Sequence, residues 1–369
     1  MNWVDRITST YYESRVDLAL EEVDIDLLRN ASVHHREIIQ NVWDGGIPEQ
    51  PAIVYQPSVK HFRRNDPNDE ASGFVYQDAL GEQLKAIEER LREGYLVIPM
   101  VLCDFNTLPV SALFGADVVE DYGLYIKPRY STRKELESIS KPDVESGLPV
   151  IMNRVSARLR RELPSWIDVG VRLNTGPLSV AAELRGTTDL IYDMLEARDL
   201  YHHFMSVITE AYIEVRTGIH RSAGIEIQKG VIRPDVTVHC PTTGVMICDD
   251  AIQLLSPELF ESCAAPYLDR VFRAFGGGTI HSCGDLTHLL PSLNAMARVE
   301  GIELGQAKLH DWGVVRRTLP EKRVIFVGAP DGKQTPVPKA LRLLKEPKTF
   351  MYSGLLELDR MTKEEHYEP

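Results

Sequence analysis

The sequence contains no run of 18 apolar residues, so no segment is predicted to span a membrane. Its start lacks a basic stretch followed by an apolar core, and we therefore expect no secretory signal peptide. The 41 Lys and Arg residues are outnumbered by 54 Asp and Glu residues, and no basic cluster is interleaved with aromatic residues. The net charge of -13 and this distribution argue against a nucleic-acid partner.

Cysteine is also scarce, with five residues in a chain of 369. An odd number of cysteines, scattered through a long chain, favours reduced thiols and hence a cytoplasmic protein. Each thiol is either packed in the core or acts as a ligand, and position must decide between the two. The cysteines are Cys103, Cys240, Cys248, Cys263 and Cys283.

Helical and strand-like segments alternate along most of the chain. "ALGEQLKAIEERLREG" (79–94) has an apolar stripe at helical spacing, and "YLVIPMVL" (95–102) is a continuous apolar run of strand length. "SPELFESCAAPYLDRVFRAFGGG" (256–278) predicts a helix capped by Ser256 and ended by glycines. A second helix is predicted over 285–298, with a kink at Pro291.

This order of elements predicts a single (β/α)₈ barrel over residues 76–369, preceded by an N-terminal helical extension and loop over residues 1–75. A doubly wound open sheet is the alternative. Against it, no G-x-G-x-x-G motif follows a first strand, and no Walker A sequence occurs.

Polar residues follow the predicted strands, where the chemistry of such barrels takes place. Because the carboxyl ends of parallel strands meet at one face, we expect these side chains to converge on an active site. The residues at or just after the strand ends are Asp104, Asn106, Asn174, Asp249, Asp250, His281, Cys283, Glu303, Asp331 and Ser353.

The stretch "GTIHSCGDLTHLL" (278–290) carries the most specific pair. His281 and Cys283 are two positions apart in a strand, so their side chains point to the same face. Imidazole and thiolate are good Zn²⁺ ligands, and Glu303 at the end of the next strand adds a candidate oxygen ligand. Two other interpretations stay open at this stage: a Cys–His nucleophile pair, and a packed strand end with no catalytic role.

Asp249 and Asp250 follow the strand "VMIC" and point to opposite faces, so at most one of them faces the site. That one is a candidate for acid–base chemistry or substrate binding, and the alternative is helix capping. Asn174 begins the turn "NTGP" (174–177), whose glycine and proline are typical of a binding loop or of a plain strand-to-helix connection.

The stretch "ICDDAIQLLSPELFESCAAPYLDRVFRAFGGGTIHSCGDLTHLLPSL" (247–293) resembles the uroporphyrinogen decarboxylase superfamily, in particular its zinc-dependent methylcobamide and corrinoid methyltransferase branch. "LPVSALFGADVVED" (108–121) and "NTGPLSVAAELRGTTDLIYDML" (174–195) are similar to the same superfamily. The resemblance extends over about residues 95–355 and implies a (β/α)₈ barrel.

The resemblance also implies a zinc site and a reaction. His281 and Cys283 match the H-x-C motif of the methyltransferases, and Glu303 lies where related methionine synthases have a glutamate ligand. Those families take a further cysteine near the last barrel strand, where this sequence has Tyr352 and Ser353. Without it, the site would be a stronger Lewis acid, which favours an ether or amine methyl donor over a simple thiol.

The implied function is methyl transfer between a small substrate and a separate corrinoid protein. In this interpretation Asn174, Asp249 and Ser353 bind the substrate, and Asp250, Asp104 and Tyr352 are the catalytic residues. Asp250 also orients the substrate, Tyr352 closes the mouth, and Asp104 occupies the neighbourhood of the decarboxylases' catalytic aspartate. The Arg-Gln-Ala-Gly-Arg stretch that grips carboxylates in true decarboxylases is absent. A decarboxylase-type lyase and a metal-free barrel that binds a tetrapyrrole or corrinoid remain as alternatives, and the sequence leaves open whether the chain forms a homodimer.

Overall fold

The structure is a computed structural model, and it describes residues 14–47, 49, 53–54, 79–103, 109–120, 124–171, 173, 175–225, 232–235, 238–241, 244–306, 309–327 and 347–352. Its α-helices are α1 (Val16–Glu21), α2 (Ile25–Trp43), α3 (Ala79–Arg92), α4 (Pro109–Leu113), α5 (Arg133–Glu137), α6 (Gly147–Glu162), α7 (Pro177–Arg185), α8 (Thr187–Glu196), α9 (Arg198–Ser222), α10 (Pro257–Leu259), α11 (Ala265–Phe275), α12 (Leu290–Ala295) and α13 (Trp312–Thr318).

The strands are β1 (Ile53–Val54), β2 (Met100–Cys103), β3 (Val118–Glu120), β4 (Leu124–Ile126), β5 (Asp168–Val171), β6 (Ile232–Asp235), β7 (Val238–Pro241), β8 (Val245–Cys248), β9 (Gly278–Ser282), β10 (Val299–Leu304), β11 (Arg323–Val327) and β12 (Thr349–Tyr352). Together with the helices they make an α/β protein. No described helix is both long enough and apolar enough to cross a membrane.

The described residues fall into two compact units. The first lies within Met1–Arg29, Pro57–Glu89 and Pro99–Glu226, and the second within Asn30–Gln56, Arg90–Ile98 and Ile227–Pro369. The boundary that the sequence predicts near residue 75 lies outside the described residues, so the predicted domain division stays a prediction.

The first unit contains a parallel pair of strands, β2 and β5, and an antiparallel pair, β3 and β4. Its longest helix, α9, buries an apolar face that includes Tyr201, Phe204 and Ile208. Helices α7, α8 and α9 follow one another closely and are separated at Gly186 and just before Arg198. Gly186 has a φ of 88°, which a residue with a side chain adopts only with strain.

The second unit contains a six-stranded parallel sheet in the order β1-β12-β11-β10-β9-β8. Strands β8, β9 and β10 are short and largely buried, as strands of parallel sheets usually are. A separate antiparallel hairpin joins β6 and β7. Within the described ranges these sheets do not close into a barrel, and the structure shows the coarser α/β architecture with parallel sheets.

The helix predicted over 256–275 forms, with one irregular turn. Ser256 accepts a hydrogen bond from the Leu259 N–H as its N-cap, and Gly276 ends the helix with a left-handed φ of 83°. A π-helical turn, Phe260–Ala264, separates α10 from α11. It immediately precedes Pro266, which has no N–H to donate and crowds the carbonyl one turn earlier. Helix α11 buries Leu268, Val271, Phe272 and Phe275 at helical spacing.

The prediction of a helix over 285–298 that is kinked at Pro291 is wrong. Residues Thr287–Leu289 form a 3₁₀ turn, and Pro291 stands in the first turn of α12 rather than in the middle of a helix. A proline is favoured there because the N–H groups of the first helical turn have no partner within the helix.

Candidate metal centre

Three side chains lie in one row across neighbouring strands. In the register of the parallel sheet, Cys248 of β8 is opposite His281 of β9, and His281 is opposite Glu303 of β10. Side chains at paired positions point to the same face of a sheet. The row therefore brings a thiol, an imidazole and a carboxylate together at the carboxyl ends of three strands.

The residues two positions further on complete the cluster. Asp250 begins the 3₁₀ turn that follows β8, and Cys283 is the first residue after β9. Oδ1 of Asp250 accepts a hydrogen bond of 2.7 Å from the Cys283 N–H. This bond fixes the two strand ends against each other.

Donor atoms of Cys248, Asp250 and His281 converge on this place, and the Cys283 sulfur approaches the imidazole. Nε2 of His281 lies 3.6 Å from Sγ of Cys283 and 3.6 Å from Oδ1 of Asp250. Sγ of Cys248 lies 3.7 Å from the same Oδ1, and one ligand atom each of Cys248, Asp250 and His281 lie within 4.8 Å of one another. The convergence is between thiols, an imidazole nitrogen and a carboxylate oxygen.

These distances fit a tetrahedral zinc site. With zinc–ligand distances of about 2.0–2.3 Å, neighbouring ligand atoms of a tetrahedron are about 3.3–3.8 Å apart. The separations of 3.6, 3.6 and 3.7 Å for the pairs His281–Cys283, His281–Asp250 and Asp250–Cys248 fall within that range. Zinc also binds sulfur and imidazole nitrogen readily, whereas magnesium and calcium prefer oxygen ligands. Cys248, Asp250, His281 and Cys283 could therefore hold a zinc ion.

Glu303 lies on the other side of the imidazole. Its carboxylate is buried, and Oε1 lies 3.4 Å from Nδ1 of His281, the ring nitrogen that faces away from Cys283. Nδ1 makes no well-aligned hydrogen bond within the described part of the chain. The geometry suits a carboxylate that orients the imidazole from behind and leaves Nε2 free.

Burial and charge act in opposite directions on the imidazole. Burial by itself lowers the pKa of His281, whereas the Glu303 carboxylate and the thiols of Cys248 and Cys283 raise it, and the pKa lies well above its ordinary value. Burial also raises the pKa of the Cys248 thiol. A metal ion would replace both protons, because zinc binds the neutral imidazole and the thiolate.

Gly305 makes room for the imidazole. A Cβ at this position would lie 2.7 Å from Cε1 and 3.2 Å from Nε2 of His281, which is too close for both atoms to stay where they are. Gly305 does not have a positive φ, so the restriction comes from space and not from the backbone.

We expect Gly305→Ala to lower the free energy of unfolding by about 1–3 kcal/mol, the usual cost of overpacking a buried site. Denaturant unfolding measures it. Gly313→Ala is the control at an exposed helix position, where the Cβ would meet the ends of two polar side chains, Nη1 of Arg317 at 2.9 Å and Oδ1 of Asp311 at 3.2 Å. A Gly305→Ala protein as stable as the control would contradict the described packing.

The other predicted site residues fall in different places. Asp249 is fully buried, and its backbone N–H donates to the His281 carbonyl, which extends the ladder between β8 and β9. Tyr352 is the last residue of β12. Asp104, Asn174 and Ser353 lie outside the described residues, so their predicted roles stay predictions.

Cys248 is the residue that the sequence reasoning missed. Its spacing to Asp250 repeats that of His281 to Cys283, at the end of the strand that comes just before β9 in the sheet. The repeated two-residue spacing at successive strand ends could have found it. The prediction at this strand end named only the two aspartates that follow Cys248.

Comparison with known proteins identifies a solved structure with a similar fold. No protein-family model matches the sequence, and no curated protein matches it. Among solved structures, the chain is similar to a methyltransferase from Methanosarcina mazei, with a TM-score of 0.61, 13% sequence identity, and coverage of 90% of this chain and 99% of the other. At this identity the likeness establishes a shared fold.

Proposed function

We propose that the chain is a zinc-dependent methyltransferase that moves a methyl group between a corrinoid protein and a small thiol. The observation that carries the proposal is the convergence of Cys248, Asp250 and His281, with the Cys283 sulfur 3.6 Å from the same imidazole nitrogen that faces Asp250. The sequence resemblance to the corrinoid methyltransferases and the fold likeness to a methyltransferase support the same reaction class.

Cys248 would supply a second sulfur ligand in place of the cysteine that is absent near the last strand. With Cys248 and Cys283 the site has two sulfur ligands, and the zinc ion is a weaker Lewis acid than it would be with one. We therefore assign a thiol as the methyl acceptor, in place of the ether or amine donor that a site poorer in sulfur favours. Glu303 is assigned to orient His281 through Nδ1 rather than to bind the metal.

We also propose that the fold is a (β/α)₈ barrel. The support comes from the parallel strands, the helices that alternate with them, and the position of the donor cluster at the carboxyl ends of β8 and β9. Active sites of such barrels lie at that end of the strands. We infer a cytoplasmic protein that acts with a separate corrinoid protein as its partner.

Bound zinc would supply a positive charge that lowers the pKa of the acceptor thiol. In the proposed reaction, the thiolate sulfur bonds to the methyl carbon, the cobalt–carbon bond breaks, and its electron pair remains on cobalt. The thiol proton is released to solvent. His281 and Glu303 lie on the buried side of the site. The Asp250 carboxylate, whose side chain is 46% exposed, would give up its ligand position to the acceptor thiol, because a catalytic zinc site keeps one position for the substrate.

The proposal is tested with zinc-loaded protein, methylcobalamin as the methyl donor and 2-mercaptoethanol as the acceptor. We expect the absorbance of methylcobalamin to change as the cobalt–carbon bond breaks, and mass spectrometry to detect the methylated thiol. The double variant His281→Ala/Cys283→Ala should give neither signal, whereas Cys263→Ala should give both, because Cys263 lies buried in the π-helical turn and away from the donor cluster.

Other outcomes would select an alternative. Tight corrinoid binding without metal or methyl transfer would mean a carrier. Loss of carboxylates from uroporphyrinogen would mean a decarboxylase. The proposed function would be overturned if either result were obtained and the protein took up no zinc when zinc was supplied.

A further inference from the structure

The turn that follows β9 is held by side chains of other segments. Cys283 stands just beyond the last residue of β9, and the N–H groups of Cys283, Gly284 and Leu286 all point away from the strand ladder. Their acceptors are Asp250, Gln306 and His310. The position of the Cys283 thiol therefore depends on side-chain chemistry that substitution can change.

Gln306 holds the residue after the thiol. Its Oε1 accepts a hydrogen bond of 2.8 Å from the Gly284 N–H. Gly284 is buried, has a φ of 84°, and leaves no space for a Cβ, which would lie 1.5 Å from Oε1 of Gln253. Gln253 therefore occupies the space beside the Gly284 Cα, and Gln306 accepts the hydrogen bond from the Gly284 N–H.

His310 holds the same turn two residues further on. Its side chain is fully buried, and Nε2 accepts a hydrogen bond of 3.0 Å from the Leu286 N–H. Nδ1 lies 3.2 Å from the Gln306 carbonyl and donates to it, which leaves Nε2 as the acceptor. Burial lowers the pKa of His310 and keeps the ring neutral, although Oδ1 of Asp285 lies 3.8 Å from Nε2.

Gln306 and His310 belong to one segment. Both follow β10, the strand that carries Glu303, and the Gln306 carbonyl also accepts the Leu309 N–H. Together with Glu303 behind the imidazole, the end of β10 and the residues after it contact His281 and Gly284, the residue that follows Cys283. We define Gln306 and His310 as the clamp.

We propose that the clamp residues, Gln306 and His310, are positioning residues that hold the Cys283 thiol in the metal site. The inference rests on the proposed function for the presence of a metal, but the contacts themselves do not. Outer contacts of this kind change metal affinity by about 10–100-fold without touching the metal. Neither clamp residue is expected to be a ligand.

Two variants remove one acceptor each, and a third restores one. Gln306→Met removes the acceptor for Gly284 at an exposed side chain and keeps the volume, so folding is not at risk. His310→Leu removes the acceptor for Leu286. His310→Gln is the rescue variant, because its Oε1 can accept the Leu286 N–H in place of Nε2. His288→Leu is the control, since His288 lies in the same turn but contacts the Leu255 carbonyl.

The first measurement needs no metal. In the metal-free protein we expect amide hydrogen exchange at Gly284 and Leu286 to accelerate by about tenfold in Gln306→Met and His310→Leu, respectively, and to be largely restored at Leu286 in His310→Gln. His288→Leu should leave both amides unchanged. Unaltered exchange at both amides would show that the clamp does not hold the turn, whatever the metal does.

The second measurement uses zinc and cobalt(II). We expect the zinc Kd, measured by competition with a chromophoric chelator, to rise about 10–100-fold in Gln306→Met and His310→Leu. The thiolate-to-cobalt charge-transfer absorbance should fall per bound cobalt because Cys283 leaves the site, and His310→Gln should recover it. Faster exchange with unchanged Kd and absorbance would overturn the positioning role. Absence of metal binding in the unmodified protein would instead overturn the proposed function, and the exchange data would still report on the clamp.

Discussion

Cys248→Ala should weaken zinc binding by about a hundredfold. The apparent binding free energy of a four-ligand zinc site is about 10–16 kcal/mol, so one ligand of four contributes on the order of 3 kcal/mol, or about two factors of ten in Kd. Cys248 lies opposite His281 in the sheet register, with its sulfur 3.7 Å from Oδ1 of Asp250. Chelator competition at fixed pH measures the change.

Cys263→Ala is the control for this prediction. Both cysteines lie in the second unit and neither forms a disulfide bond, but Cys263 is fully buried in the π-helical turn and is not among the converging donors. Its replacement should reduce stability through a small cavity and leave the zinc Kd within a factor of a few. Equal zinc affinity in the unmodified protein and Cys248→Ala would remove Cys248 from the ligand set and leave the sequence-based set of His281, Cys283 and Glu303.

His281→Ala is expected to have two separate effects. It removes the central ligand of the site, whose Nε2 lies within 3.6 Å of two other donors, so zinc binding should fall at least as far as in Cys248→Ala. It also removes the imidazole from beside the buried Glu303 carboxylate. Removing one member of a buried ion pair costs about 3–5 kcal/mol, so the metal-free variant should unfold at clearly lower denaturant concentration.

A second substitution separates the two effects. Glu303→Gln removes the buried charge, and the double variant His281→Ala/Glu303→Gln should regain much of the stability lost in His281→Ala without regaining zinc. Denaturant unfolding of the four metal-free proteins gives the coupling free energy. Additive losses in the double variant would mean that His281 and Glu303 do not interact as a pair.

Local sequence patterns predicted much of the fold. The cap at Ser256, the glycine at the end of α11 and the strands that carry His281 and Glu303 all follow from short-range rules of propensity and capping. Pro291 shows the limit of such rules. The proline was identified as a disturbance of a helix, but whether it kinks a helix or begins one depends on where the preceding turn is packed.

The candidate site could likewise be predicted only in part from local sequence patterns. The spacing of His281 and Cys283 gives a shared face from the geometry of one strand. Cys248 and Glu303 join them through the lateral register of β8, β9 and β10, and single-strand patterns do not specify register. Which imidazole nitrogen Glu303 approaches is a further property of side-chain packing, and sequence spacing carries no information on it.

The number of sulfur ligands on the zinc ion is the most direct test of the central claim. X-ray absorption spectroscopy of the zinc-loaded protein resolves zinc–sulfur distances of about 2.3 Å from zinc–nitrogen and zinc–oxygen distances of about 2.0–2.2 Å. We predict two sulfur ligands, from Cys248 and Cys283, and one of them should be lost in Cys248→Ala. A zinc ion with only oxygen and nitrogen ligands, or one whose sulfur count is the same in Cys248→Ala, would contradict the proposed site.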